Sequence, residues 1–160
     1  MEKPEFPLVD IYDSHHVDLI PEEENLKKAP ATELLIKDNH SLLYDKDGKT
    51  WRYFLKSEFF EDTLVNRVVA HTLYNPDFEV EPVWEYAGEY HIEDLKEEVL
   101  RCIDYDEGII TQYEDADIIQ KEISICFSFE DVVAVLNKYV FDVDEDLILA
   151  EQKRREENDY

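Results

Sequence analysis

The chain has 160 residues, 41 of them Asp or Glu against 16 Lys or Arg, for a formal charge of −25. That balance excludes direct binding to nucleic acid phosphates or anionic membranes, since both require a cationic face. Apolar residues at 44% and aromatics at 12% exclude a disordered acidic tail and predict a folded chain with a real core.

In chain order, prolines at 4, 7, 21 and 30 and the lack of a sustained period predict an extended arm over residues 1–30, with Leu8, Val9, Ile11 and Tyr12 docking on the core. A strand is expected over Glu33–Lys37. Ser41–Tyr44 and Thr50–Leu55 flank Asp45-Lys46-Asp47-Gly48, a turn with a glycine free to take positive φ, and so predict a hairpin. Ser57 suits a helix cap, and the spacing of Phe60, Leu64, Val65, Val68, Val69 and Leu73 predicts a helix over 58–73. Phe78–Tyr90 alternates like a strand pair around Ala87-Gly88. Ile92–Ile103 reads as a helix, with Leu95, Val99, Cys102 and Ile103 on one side and acids early in the segment.

Ile109–Tyr113 and Ile118–Phe127 read as a second hairpin. Ser128 caps a helix carrying Phe129, Val132, Val133, Leu136, Tyr139 and Val140, with Phe127 stapled to Val132. A further helical stretch starts at Asp144, and residues 151–160 form a charged tail. The expectation is one α+β domain over residues 31–150, mostly antiparallel sheet with three to four amphipathic helices.

The opening MEKPEFPLVD lacks the basic and apolar regions of a secretory signal, and no stretch reaches the roughly 18 apolar residues of a membrane span. A cytoplasmic protein is expected. Cys102 and Cys126 leave two readings, a structural disulfide or buried reduced thiols, and the missing export signal favours the second.

Tests for chemistry return little. Asp142, Asp144 and Asp146 repeat the opening of a calcium loop, but Leu147 replaces its glycine and Lys153 its bidentate glutamate, so a helix cap is the better reading. Adjacent His15 and His16 on an extended segment point opposite ways and make a poor metal site. His71 reads as a C-terminal cap of its helix. Three glycines in all leave no phosphate-cradling loop, and no nucleophile motif occurs. No catalytic residue, cofactor or metal is assigned.

What remains is where the acid lies. Residues 77–117 hold 15 acids and 2 bases, net −13, whereas residues 31–76 hold 7 and 6. In the acidic segment carboxylates alternate with aromatics: Trp84, Glu85, Tyr86, Glu89 and Tyr90, then Asp104, Tyr105, Asp106 and Glu107, then Tyr113, Glu114 and Asp115. Tyrosine and tryptophan provide rigid contact area, and carboxylates beside them attract Arg and Lys. These twelve residues are the expected binding surface for a basic protein.

The acidic loop DYDEG, the runs WEYAGEY and TQYEDAD and the helix FSFEDVVAVLNKYV give the chain a general character that resembles the small acidic immunity proteins of bacterial polymorphic-toxin and contact-dependent inhibition systems. The resemblance implies stoichiometric binding to a cognate toxin, often a basic nuclease. It carries no functional residue over by position. Two alternatives keep other classes open: a DNA-mimic inhibitor of a nucleic-acid-binding protein, and a small hydrolase or metal enzyme.

Overall fold

The computed structural model describes residues 2–30, 40–56 and 77–158. The strand expected at 33–37, the helix expected over 58–73, Ser57 and His71 lie outside the described residues. The fold is α+β, and its contacts gather in two compact units, Met1–Asp13 with Asp18–Tyr90, and Ser14–Val17 with His91–Tyr160.

The first unit is built on β-structure. Strands β1 (Leu8–Tyr12), β2 (His16–Ile20), β4 (Ser41–Tyr44), β5 (Lys49–Lys56) and β7 (Glu81–Glu89) form an antiparallel sheet in the order β2-β1-β4-β5-β7. The short β3 (Lys28–Pro30) and β6 (Asp77–Glu79) pair separately. Residues 1–30 are therefore no simple arm. Leu8, Val9 and Ile11 are buried in β1, which pairs with β4, while Tyr12 stays partly exposed. The β1–β2 turn takes positive φ at Asp13 and Ser14, a conformation that Asp adopts more readily than most non-glycine residues.

Leu8, Ile20, Leu26, Leu43 and Trp51 form the buried cluster, and Phe6, Tyr53 and Trp84 pack against it. The expected β4–β5 hairpin is present, with Gly48 at φ +80°. Its turn is held by Asp45, whose buried carboxylate accepts N–H bonds from Asp47 and Lys49 at 2.9 and 3.0 Å and the Trp51 indole N–H at 2.9 Å. The strand pair expected around Ala87-Gly88 is absent: Phe78 and Glu79 belong to β6, and 81–89 runs on as the single strand β7. Thr50 faces Gly88 and Trp51 faces Tyr86, so Ala87 sits unmatched in a bulge that Gly88 relieves with φ +123°.

The second unit is helical: α1 (Ile92–Asp104), α2 (Ala116–Ser124), α3 (Phe129–Leu136), a π-helical turn Asn137–Phe141, and α4 (Glu145–Asn158). In α1, Leu95, Val99, Cys102 and Ile103 are buried as their spacing predicts, and the Asp94 carboxylate accepts the His91 N–H at 2.9 Å. The second hairpin does not exist. Ile109–Tyr113 is irregular, and most of 118–127 belongs to α2, which buries Ile119 and Ile123 one helical turn apart. Their four-residue spacing outranked the β-branched composition.

Ser128 caps α3, accepting the Asp131 N–H at 3.1 Å. The expected staple fails, because Phe127 points to solvent. Nor is 151–160 a free tail, since α4 runs to Asn158. Asp144 caps that helix, its carboxylate accepting the Leu147 N–H at 3.2 Å. Both cysteines are buried free thiols, and burial pushes the Cys102 thiol up to about 11.

Candidate functional site

The twelve expected contact residues divide between the units, five on β7 and its end and seven in the segment from Asp104 to Asp115. The first unit holds 20 acids and 9 bases, and the second 21 and 7, net −11 and −14. The excess is thus spread between the units, and what each carboxylate touches becomes the deciding question.

On β7 the aromatics are largely committed to the fold. The Trp84 ring packs 5.5 Å from Tyr53 and 5.9 Å from Phe6, and its buried indole N–H has no acceptor among the described residues. Tyr86 sets its edge against Trp51 at 5.5 Å, leaving its outer side exposed. The Tyr90 hydroxyl donates to the Asp45 carbonyl, and its ring meets Tyr44 edge-on at 4.9 Å. Glu85 and Glu89 are exposed but stand in register with Arg52 and Lys49 of β5. Opposite charges at facing positions partly cancel.

The segment after α1 is organised differently. Asp106 accepts the N–H groups of Gly108, Ile109, Ile110 and Thr111 at 3.0–3.1 Å and the Thr111 hydroxyl at 2.9 Å. Burial raises its pKa, but these donors outweigh burial and hold the carboxyl below its ordinary value. Gly108 turns the chain at φ +103°. One side chain therefore ties down four consecutive backbone groups. Ile110 is drawn inside, while Ile109 is left 71% exposed and Tyr105 59% exposed. The Tyr105 ring rests 4.4 Å from that of His15. Asp104 and Glu107 are exposed beside them, Asp104 accepting the Gln120 side-chain N–H at 2.7 Å.

Glu114 is a correction. It is only 4% exposed and binds Arg155 of α4 at 2.7 Å, while its other oxygen accepts the Asp115 N–H at 3.0 Å. Burial raises its pKa, yet the Arg155 and Asp115 bonds bring it below its ordinary value. Gln152 donates to the half-buried Tyr113 carbonyl at 3.1 Å. Tyr113 and Glu114 thus fasten α4, and Asp115 is the exposed N-cap of α2.

A groove of about 310 Å³ lies beside α4, lined by Ile118, Glu122, Lys138, Tyr139, Glu151, Arg154 and Arg155. Three of its charges, Lys138, Glu122 and Glu151, pair with one another, and Arg155 is taken by Glu114. Lys138 reaches Glu151 at 3.0 Å and Glu122 at 3.4 Å, and the Tyr139 hydroxyl donates to Glu122. Burial and that bond push Tyr139 up to about 12. Among the described residues no three His, Cys, Asp or Glu side chains are placed to share a metal ion, and no helix is long and apolar enough to cross a membrane.

Six of the twelve expected residues thus keep an exposed surface in the second unit: Asp104, Tyr105, Glu107 and Asp115 and, in part, Asp106 and Tyr113. Sequence reasoning missed Ile109, whose exposure depends on the bonds of Asp106. It also missed Ile125 and Phe127, which the false hairpin placed in a strand. No family model, curated protein or solved structure matches the chain.

Proposed function

We propose that the chain is an inhibitory protein-binding domain, of the immunity-protein kind, that captures a basic protein such as a nuclease-type toxin domain. The observation carrying this reading is the Asp106-braced loop, which holds Tyr105 and Ile109 out into solvent beside the carboxylates of Asp104 and Glu107. An aromatic and an aliphatic group fixed in place lose little entropy on binding, which suits hot-spot contacts. The surrounding acid steers a cationic partner in, with association rates reaching about 10⁸–10⁹ M⁻¹s⁻¹ at low salt. No catalytic step is assigned to the chain.

The test is the association rate with a basic nuclease-type toxin domain across a salt series. Capture predicts a rate that falls at least about tenfold as screening shortens the range of the charges. A rate indifferent to salt rejects it.

A further inference from the structure

The most exposed aromatic among the described residues lies elsewhere in the second unit. Between α2 and α3, Phe127 is 89% and Ile125 66% exposed, on either side of the buried Cys126. The segment is not loose. Cys126 N–H donates to the Ile123 carbonyl at 3.1 Å and its thiol to the Glu122 carbonyl at 3.2 Å. The Phe127 N–H donates to the Asp131 carboxylate at 3.0 Å, and Ser128 closes the cap on α3. An isolated exposed Ile needs no explanation, but two large apolar groups on a backbone anchored at both ends resemble the anchors of an interface.

Charge narrows the occupant. Glu130 and Asp131 are exposed on the first turn of α3, and the unit carries net −14. A second copy would bring equal negative charge to the contact, and an anionic membrane would repel it. A protein with an apolar pocket rimmed by Lys or Arg would meet attraction on both counts.

We infer that Ile125 and Phe127 form an anchor for a basic protein, inserting into an apolar pocket while Glu130 and Asp131 meet cations at its rim. The inference rests on the proposed capture of a basic partner and adds a second contact surface to it.

A short peptide of alternating lysine and leucine provides the probe, titrated into the full chain and followed by backbone amide NMR at low salt. The expected result is shifts centred on residues 124–131 and affinity at least tenfold weaker in Phe127→Ser, with the thermal melt unchanged. Saturable binding that shifts only the Tyr105–Thr111 amides overturns the anchor and leaves the capture reading standing. No binding at low salt overturns the anchor and counts against capture as well. A concentration-dependent dimer of the free chain, abolished by Phe127→Ser, makes a second copy the occupant and also overturns it.

Discussion

Strand β7 and the loop Asp104–Thr111 are written in the same residue types, acid next to aromatic, and use them in opposite ways. On β7 the rings of Trp84 and Tyr90 turn into the first unit, and Glu85 and Glu89 face cations across the sheet. In the loop one acid binds the backbone of residues 108–111, and Ile109 stands outward beside the exposed Tyr105. The difference lies in the available donors. On β7, which lies at the edge of the sheet and pairs with β5, the acids stand opposite side chains, Glu85 facing Arg52 and Glu89 facing Lys49. In the irregular stretch after α1 the N–H groups of residues 108–111 donate to a carboxylate, which accepts them more strongly than a neutral oxygen would.

The sharpest way to break this contrast is to remove an acid from each region. Asp106→Ala deletes five accepted bonds and leaves four N–H groups without that partner. We expect a loss of about 3–4 kcal/mol in urea unfolding. Asp106→Asn keeps an acceptor and costs about half as much. Glu85→Ala and Glu89→Ala, which lose only exposed cross-strand pairing, change stability by under about 1 kcal/mol. Equal losses in the two regions would mean that the loop is not organised by its carboxylate.

Arg155→Ala probes the same logic further along the segment. It leaves the buried Glu114 carboxylate with the Asp115 N–H and the Gln152 side chain but no cation. A loss of about 2–3 kcal/mol is expected, below the range for fully buried pairs because the arginine is partly exposed. Glu114→Gln, which removes the buried charge, recovers part of that loss when combined with Arg155→Ala.

A buried acid without enough donors behaves in the opposite sense. Asp10 is 8% exposed and accepts the Ser41 hydroxyl at 3.2 Å, and its other oxygen has no partner among the described residues. Burial, with Asp18 adding repulsion, raises its pKa to about 6. The folded state then holds the proton more tightly than the unfolded chain. The contribution is present below the unfolded value of 3.8 and is lost as pH rises through about 6. Asp10→Asn should therefore stabilise the protein by about 1–2 kcal/mol at pH 7.5, with the gain shrinking by pH 4.5. Asp106 and Glu114, held below their ordinary values, give the reverse slope, losing their contribution as pH falls. Melting temperatures of wild type and Asp10→Asn from pH 4.5 to 7.5 separate the two. A gain that does not vary with pH would show that Asp10 is not the titrating group.

Much of this architecture was readable from the residues. Gly48 with Asp45 and Asp47 signalled the β4–β5 hairpin, and the periods of α1 and α3 signalled those helices. Three features hid the rest. The β1–β2 turn uses Asp13 and Ser14, whose positive φ no glycine advertises. Gly88 looked like a turn because a bulge and a turn both call for positive φ. In α2 and the residue after it four isoleucines within eight residues suggested a strand, and only the spacing of Ile119 and Ile123 spoke for a helix. The site was legible in composition but not in exposure. Whether a given carboxylate faces a partner depends on donors such as Arg155, 41 residues from Glu114, and no local pattern reports a contact at that distance.

The smallest expected effect on stability tests the loop most directly. Ile109 contributes its N–H to Asp106 through the backbone, so Ile109→Ser keeps every bond that shapes the loop and removes only the exposed side chain. Stability should change by less than about 0.5 kcal/mol. If the loop is a contact surface, dissociation from a basic toxin domain should quicken about tenfold with the association rate unchanged, because charge governs approach and apolar anchoring governs release. Asp104→Asn combined with Glu107→Gln should do the converse, slowing association at low salt while leaving dissociation nearly unaltered. A variant pair in which both substitutions move the same rate constant would show that steering and anchoring are not divided along this loop as its geometry suggests.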